Sequence, residues 1–176
     1  MEVLNTDRLK LRPYTMEDIN AIHAYGSDPE VVKYMTFGPN TYEESYNFLN
    51  TLVNEFYLAN PLRNYNYAIE YNGEVVGSIS LALNEDLTEG EMGWVLIKKF
   101  HGLGIMTEAA KCLKEYGFKK LGLKRIYAIC DTNNKASENV MKKIGLKFSD
   151  IEKNFEIEKK IGIYICDRYI YEEFNW

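Results

Sequence analysis

Strand-like and helix-like patterns follow one another in the first part of the chain. Apolar and basic residues alternate over residues 7–14, the period of two expected for a half-buried strand. A short helix is predicted over Asp18–Tyr25, and Asp28-Pro29-Glu30 predicts a second helix by placing a capping carboxylate before a proline. Thr41-Tyr42-Glu43-Glu44 reads as a capping box, and apolar residues at helical spacing predict a helix over 42–58.

A β region follows these helices. Residues 65–71 and 74–83 are strand-like runs joined by Asn72-Gly73, a dipeptide suited to the positive φ angles of a tight hairpin turn. Residues 84–90 are polar and acidic. The next run, residues 91–97, is nearly all apolar and predicts a central strand buried on both faces.

The remaining elements alternate between helix and strand. Residues 107–120 form a predicted helix and residues 125–130 a strand, which together with the preceding strand indicates a βαβ crossover. A second helix is predicted over 135–144, with Gly145 placed to end it. Two closing strands are predicted over residues 159–165 and 168–174.

The order of these elements, β-α-α-β-β-β-α-β-α-β-β, is typical of a mixed sheet with helices on both faces rather than a doubly wound parallel sheet. No linker, internal repeat or low-complexity tract interrupts residues 1–176, which predicts a single domain. A chain of 176 residues with 46% apolar and 27% charged residues can bury a core without a disulfide or metal.

Charge and cysteine content exclude several function classes. The formal net charge of −5 argues against nucleic-acid binding, which draws on clustered Lys and Arg. Cys112, Cys130 and Cys166 are odd in number and lack a CxxC pair or nearby histidines, so we expect neither disulfides nor a metal site. There is no leader-like start and no apolar run near the ~18 residues of a membrane span. We expect a cytoplasmic protein that binds no membrane.

The stretch over residues 98–109 carries candidate chemistry. It joins a predicted strand to a helix through His101-Gly102-Leu103-Gly104. Glycines let the backbone approach a ligand, and the N–H groups of a helix start favour an anion, so this turn can hold a phosphate or pyrophosphate. Thr107 can add its hydroxyl. The turn matches neither a Walker loop nor a dinucleotide fingerprint, and a simple connection between strand and helix is the alternative.

Four segments combine into a wider pattern. They are residues 6–12 (Thr-Asp-Arg-Leu-Lys-Leu-Arg), residues 101–109 with their closing Thr-Glu-Ala, residues 134–146 (Asn-Lys-Ala-Ser and Lys-Ile-Gly-Leu), and the aromatic residues 169–176. In this order they resemble the GCN5-related N-acetyltransferase (GNAT) family, in particular its branch like the ribosomal-protein N-terminal acetyltransferases RimJ and RimL. The resemblance implies an α/β (α+β) fold with a mixed, mostly antiparallel central sheet flanked by helices.

The same resemblance implies acetyl-CoA as co-substrate and assigns residues to it. The backbone of His101–Met106 and the side chain of Thr107 would hold the pyrophosphate, and the strand end at 95–97 would pair with the pantetheine amides as an added strand does. Asn134 would bond the pantetheine arm and Ser137 would lie near the thioester, with helix capping as the alternative for both. The cofactor-binding residues are thus Val95, Leu96, Ile97, His101, Gly102, Leu103, Gly104, Ile105, Met106, Thr107, Asn134 and Ser137.

Three positions depart from the family pattern. His101 stands where Gln or Arg is usual, and Met106 stands where Gly or Ala is usual. Met141 occupies the position at which many members carry a tyrosine thought to protonate the departing thiolate. Because a thioether cannot donate a proton, we assign that role to Ser137.

Acetyl transfer also needs a base, because a lysine-like amine has a pKa near about 10.4. Glu91, flanked by Met92 and Trp94, is the candidate, and a solvent-facing strand-end glutamate is the alternative. A strand N–H near Leu96 would polarise the carbonyl oxygen. Three aromatic residues lie in the region that walls the acceptor site in this family and are candidate substrate contacts: Tyr34, Phe37 and Tyr42.

The sequence therefore predicts an acetyl-CoA-dependent N-acetyltransferase that acts by direct attack of a primary amine in a ternary complex. The acceptor is left open between a protein N-terminal amine and a small-molecule amine. Two other functions remain alternatives: a non-catalytic acyl-CoA-binding sensor or interaction protein on the same fold, and a protein that binds nucleotide phosphates through the same loop. A homodimer is compatible with the branch.

Overall fold

The computed structural model describes residues 1–160 and 162–175. Three single 3₁₀ turns occur at Met16–Asp18, Phe56–Leu58 and Lys98–Phe100. The strands and helices, in chain order, are β1 (Leu4–Asn5), β2 (Leu9–Arg12), α1 (Ile19–Gly26), α2 (Tyr42–Asn54), β3 (Asn64–Tyr71), β4 (Glu74–Leu83), β5 (Glu89–Leu96), α3 (Ile105–Lys119), β6 (Arg125–Asp131), α4 (Lys135–Lys143), β7 (Lys147–Lys159) and β8 (Gly162–Phe174).

One eight-stranded sheet in the order β1-β2-β3-β4-β5-β6-β8-β7 organises the chain. Neighbouring strands are antiparallel except β5 and β6, which are parallel and are connected through α3. A parallel pair requires such a crossover, whereas tight turns can join antiparallel strands. The predicted mixed, mostly antiparallel sheet and its βαβ unit are confirmed.

Helices cover both faces of the sheet, as predicted. On one face α3 and α4 pack over a core that includes Leu81, Leu113 and Ile126, all fully buried. On the other face α1 and α2 pack over a second core that includes Leu49 and Val95. Because side chains alternate between the faces of a strand, each central strand supplies residues to both cores.

Local signals behave as the sequence predicts at several places. Asn72 and Gly73 have φ angles of 52° and 79° and form the β3–β4 turn. The Thr41 hydroxyl accepts the Glu44 N–H at 3.2 Å, while the Glu44 carboxylate accepts the Thr41 N–H at 2.7 Å. Gly145, with φ of 93°, follows the end of α4.

The predicted helix beginning at Asp28 is wrong. The chain makes isolated turns there, in which the Val32 N–H donates to Asp28 O at 3.0 Å and the Met35 N–H donates to Val32 O at 3.0 Å. The β-branched pair Val31-Val32 lowers helix propensity just after the cap, so the first turn is not extended. The α2 helix also ends earlier than predicted, at Asn54, and a separate 3₁₀ turn follows.

The C-terminal strands differ most from the prediction. Instead of strands over 159–165 and 168–174, the structure has two 13-residue strands, β7 and β8, paired as one long hairpin. The register of β7 shifts between Phe148 and Asp150 and again between Glu152 and Phe155. These shifts interrupt the alternation of side chains between the two faces of the strand, so the sequence of β7 lacks a continuous period of two. Ile161 and Trp176, which fall in the predicted strand and in the aromatic closing segment, lie outside the described residues.

Among the residues described, no helix combines the length and apolar character that crossing a membrane requires.

Candidate active site

The two parallel strands separate within the sheet. Their pairing runs from Glu89 opposite Arg125 to Met92 opposite Ala128, and stops there. Beyond this point β5 remains paired with β4 and β6 remains paired with β8. A cleft of about 490 Å³ opens between the two strand ends and extends to the start of α3 and of α4.

The β5 side of this cleft presents backbone groups. The Ile97 N–H donates to Val76 O at 2.9 Å, which shows which β5 residues direct their backbone groups toward β4. Since hydrogen-bonding direction alternates along an antiparallel strand, Gly93 and Val95 bond toward β4, and the peptide groups of Trp94 and Leu96 face the cleft. This edge can pair with an extended ligand that carries amides.

The turn before α3 supplies further donors. Gly102 and Gly104 have φ angles of 79° and 76°, a left-handed conformation that favours glycine. The six N–H groups from Gly102 to Thr107 make no hydrogen bond to any described residue. They lie at the positive end of a 15-residue helix, so the turn can bind an anion such as a phosphate.

His101 fixes this turn to the strand end. Its Nε2 lies 2.8 Å from Leu96 O, and because a carbonyl only accepts, Nε2 carries the proton and donates it. The cleft-facing carbonyl of Leu96 thus already accepts a hydrogen bond from His101, whereas the Leu96 N–H is available to a ligand. The departure from Gln or Arg at this position retains a hydrogen-bond donor.

The first segment of the chain clamps the same turn. The Thr6 hydroxyl donates to the Glu108 carboxylate at 2.6 Å, and Arg8 donates to it through Nε at 2.7 Å and through its N–H at 3.1 Å. Arg8 Nη1 also donates to Leu103 O at 3.2 Å. Burial alone would raise the pKa of Glu108, but these bonds outweigh it and lower the pKa. Glu108 therefore stays ionised and its charge is paired beside the anion site.

Asn134 and Ser137 form the opposite side of the cleft, and both line it. Asn134 Oδ1 accepts the Ser137 N–H at 3.1 Å, so Asn134 caps α4, as the alternative interpretation held. This cap uses only the oxygen, and the Asn134 Nδ2 group has no hydrogen-bond partner among the described residues. The amide is thus able to cap the helix and to donate into the cleft.

The methionines that depart from the family pattern point into the core. Met106 is only 7% exposed and packs in the α3-side core, although it also borders the cleft. Met141 is fully buried in the same core and does not line the cleft. The bulk of Met106 is therefore accommodated by packing, and the Met141 position is directed away from the site.

Glu91 lines the cleft from the face of the sheet that carries α1 and α2. Its side chain is exposed, so the shielding by Met92 and Trp94 that the sequence led us to expect is absent, because those two side chains point to the opposite face. Glu91 lies opposite Tyr127 on β6, where burial and the neighbouring Glu91 carboxylate raise the pKa of the phenol.

The other predicted residues are distributed unevenly. Tyr34 lines the cleft, and Phe37 lines an adjoining cavity of about 630 Å³. Tyr42 lines neither: it is 51% exposed and its ring meets the edge of His23. Ile97 packs in the α1-side core and Leu103 is exposed, so neither side chain reaches the cleft.

Sequence reasoning missed Asp131, which ends β6 and is 4% exposed in the cleft wall. It accepts the Tyr164 hydroxyl at 2.6 Å and the Asn133 N–H at 2.7 Å. Burial raises its pKa, but these hydrogen bonds outweigh that effect and the pKa is lowered. An acidic residue between an apolar strand and an Asn-Asn pair was the available signal. Its bonds hold the turn that positions Asn134.

Comparison with known proteins gives the family. The pattern described as acetyltransferase (GNAT) domain matches residues 8–147. The uncharacterized N-acetyltransferase YnaD of Bacillus subtilis (strain 168) is 32% identical over 144 residues, covering 82% of this chain and 82% of YnaD. The spermidine N(1)-acetyltransferase of Escherichia coli (strain K12) is 28% identical over 138 residues, covering 78% of this chain and 72% of that enzyme.

Solved structures agree with this relationship. A GNAT-family acetyltransferase from Bacillus anthracis superposes with a TM-score of 0.85 at 31% identity, covering 98% of each chain. The RimL ribosomal L7/L12 α-N-protein acetyltransferase, solved in complex with coenzyme A, superposes with a TM-score of 0.82 over 98% of each chain. At 19% identity this second likeness supports the fold alone. The family pattern covers most of the chain, and the chain therefore belongs to the GNAT family of N-acetyltransferases.

Proposed function

We propose that the protein transfers an acetyl group from acetyl-CoA to a primary amine by direct attack within a ternary complex. The observation that carries this proposal is the cleft itself: a free strand edge on β5 leads to a turn at the start of α3 with six N–H groups that have no partner in the described part of the chain. Acetyl-CoA fits this arrangement, because its pantetheine amides can pair with the strand edge and its pyrophosphate can bind the N–H groups of the turn. The cleft also borders a second cavity, so two ligands can meet at Gly93–Val95.

The residues of the cleft divide the work of holding acetyl-CoA. The N–H groups of residues 102–107 and the Thr107 hydroxyl bind the pyrophosphate. The backbone of Trp94 and Leu96 pairs with the pantetheine amides. Asn134 Nδ2 donates to the pantetheine arm from the other wall. Acetyl-CoA then supplies the activated acetyl group as a thioester.

The chain contributes proton transfers and one polarising contact. Glu91, directly or through a water molecule, takes the proton from the ammonium form of the acceptor, which otherwise has no free electron pair. The neutral amine nitrogen then bonds to the acetyl carbon, the bond from carbon to sulfur breaks, and the second proton that the nitrogen loses passes to the leaving thiolate. A cleft-facing β5 N–H stabilises the carbonyl oxygen, and the Ser137 hydroxyl donates toward the departing sulfur.

The acceptor is inferred from the chemical group that the named relatives share. One relative is named for spermidine and one fold neighbour for a ribosomal protein N-terminus, so a primary amine is the group they share. We extend to this chain only that common chemistry, with a small-molecule amine or a protein N-terminus as carrier, and we keep the cytoplasm as its expected location.

Thermal unfolding with acetyl-CoA and a thiol-release assay test the proposal together. Acetyl-CoA at 100 times its dissociation constant should stabilise the fold by about 2.7 kcal/mol, a rise of roughly 5–10 °C, and ATP should not. Asn134→Asp keeps the helix cap but removes the Nδ2 donor, so it should weaken acetyl-CoA binding without lowering the melting temperature of the free protein. Asn134→Ala removes both.

The outcomes separate the alternatives. Stabilisation by acetyl-CoA without thiol release on any amine would indicate a sensor of acyl-CoA rather than an enzyme. Stronger protection by ATP than by acetyl-CoA would indicate a nucleotide site. Unchanged turnover in both Glu91→Gln and Ser137→Ala would remove our assignment of the base and the acid while leaving the reaction in place.

A further inference from the structure

The cavity next to the cleft has a neutral polar floor. Its base is the α1-side face of the sheet, where Asn66 of β3 and Ser78 and Ser80 of β4 are partly buried side chains. It meets the acetyl-CoA cleft at Gly93–Val95, the stretch of β5 that contributes to both. At about 630 Å³ it has the size of a small-molecule site.

Several of its polar groups are available to a ligand. The side-chain amides of Asn66 and Asn40 have no hydrogen-bond partner among the described residues. The Ser80 hydroxyl has only a long contact of 3.4 Å to Gly93 O. Tyr25 also borders the cavity, but its hydroxyl is already engaged, 3.4 Å from the Tyr14 hydroxyl. Burial raises the pKa of the Tyr25 phenol to about 12, so the hydroxyl stays neutral.

The charged groups around the cavity are already engaged or balanced. Two carboxylates and two lysines line it, so their formal charges cancel. Lys160 pairs with Glu44 and also donates to Pro39 O at 3.3 Å. Lys159 donates to Val32 O at 3.2 Å. The remaining carboxylate, Glu158, is exposed at the rim.

This lining selects against a polycation. Each ammonium group that leaves water needs a carboxylate partner, and the cavity offers no surplus of negative charge. By contrast, the two amides of Asn66 and Asn40, which have no partner among the described residues, favour a ligand that brings neutral hydrogen-bonding groups, because leaving such groups unpaired is costly. We propose, resting on the acetyl transfer proposed above, that the acceptor is a small amine with one positive charge that carries neutral hydroxyl or amide groups.

The proposal sets this chain apart from its relative named for spermidine. An amino sugar or amino alcohol should be a better acceptor than spermidine, by about 10-fold or more in kcat/KM. Glucosamine and spermidine are suitable probes, because one is a hydroxylated monocation and the other is a polycation. Thiol release measures turnover, and melting temperatures with saturating coenzyme A measure binding.

A charge placed in the cavity should reverse the preference. Asn66→Asp should lower the KM for spermidine by about 10-fold, the scale of one added charge contact, and raise the KM for glucosamine. Asn72→Asp adds the same charge at the β3–β4 turn, outside the cavity, and should change neither value. If Asn66→Asp does not fold, Thr36→Asp introduces the charge from the exposed loop of the same cavity.

Each result bears on one proposal. Larger turnover and larger thermal stabilisation with glucosamine support the inference. Spermidine equalling or exceeding glucosamine in either measurement overturns it, and so does an Asn66→Asp variant with unchanged preference. Failure of the underlying function is distinct, because acetyl-CoA would then neither stabilise the protein nor lose its acetyl group to any amine.

Discussion

Removal of the Arg8 side chain should weaken acetyl-CoA binding through the phosphate end of the cofactor. Arg8 bonds the Glu108 carboxylate and Leu103 O, and its Nη2 lies 3.6 Å from where a Cβ on Gly104 would be. In Arg8→Ala the turn loses one tie and a positive charge. Glu108, in the first turn of α3, keeps its negative charge, and the donors left to it among residues 1–160 and 162–175 are the Thr6 hydroxyl and the backbone N–H at position 8.

The loss of stability in Arg8→Ala can be estimated from how exposed the Arg8 side chain is. The Arg8 side chain is 43% exposed, so its ion pair contributes about 0.5–1 kcal/mol, and the bond to Leu103 O adds about 1 kcal/mol. The melting temperature should therefore fall by roughly 3–8 °C. The altered charge beside the anion site should raise the KM for acetyl-CoA by about 5–10-fold, equivalent to about 1–1.4 kcal/mol.

A truncated donor separates the phosphate effect from a general loss of structure. S-acetyl-pantetheine lacks the pyrophosphate, so its KM should be the same in Arg8→Ala and in the unmodified protein. Lys10→Ala removes an exposed cation two residues away and controls for net charge. If the KM values of both donors rise by the same factor, or neither rises, then Arg8 does not act at the phosphate turn and the reasoning is refuted.

Variants at three further positions test other contacts. Asp18→Asn weakens the bidentate hydrogen bond between Asp18 and Arg12 (both contacts 2.8 Å) and should lower the free energy of unfolding by about 2 kcal/mol. Burial raises the pKa of Asp18, but the hydrogen bonds outweigh it and the pKa is lowered. The stabilisation by ionised Asp18 is therefore present above about pH 4 and is lost below. The difference in melting temperature between the two proteins should shrink from pH 7 to pH 3, and a constant difference would contradict this. Met141→Tyr should lower the melting temperature without raising kcat, because the position is fully buried; a higher kcat would show that it reaches the cleft. His101→Ala should raise the KM for acetyl-CoA by about 2–10-fold through loss of the bond to Leu96 O, whereas His101→Gln should preserve it.

The half of the fold that carries the proposed cofactor site was predictable because its signals are local. The apolar stripe of α3, the cap at Asn134 and the positive-φ glycine at Gly145 each act within a few residues. The β7–β8 hairpin was not predictable in the same way. Two register shifts move the side chains of β7 from one face to the other, and the strand is stabilised by pairing with β8 rather than by its own pattern.

Directions of side chains were the other limit. Sequence alone places Met106 and Met141 at positions associated with the cofactor, and only packing shows that both side chains enter the core. Asp131 was missed for the opposite reason: it does lie in the cleft wall, but a single acidic residue at the end of a strand forms no recurring pattern in the sequence. Its main side-chain partner is Tyr164, which is 33 residues distant in sequence and donates to it from the neighbouring strand β8.

Backbone atoms dominate the proposed cofactor site, and this explains why its sequence can vary. In the proposed site, the β5 edge and the turn over residues 102–107 act through backbone N–H groups, which every residue except proline has, provided that the glycines keep their positive φ. Substitutions such as Met at position 106 are therefore accommodated by the core. The proposed acceptor cavity is different, because the side chains of Asn66 and Ser80, and not backbone groups, would contact the amine there. Specificity for the amine should accordingly change with a few side chains while cofactor binding persists.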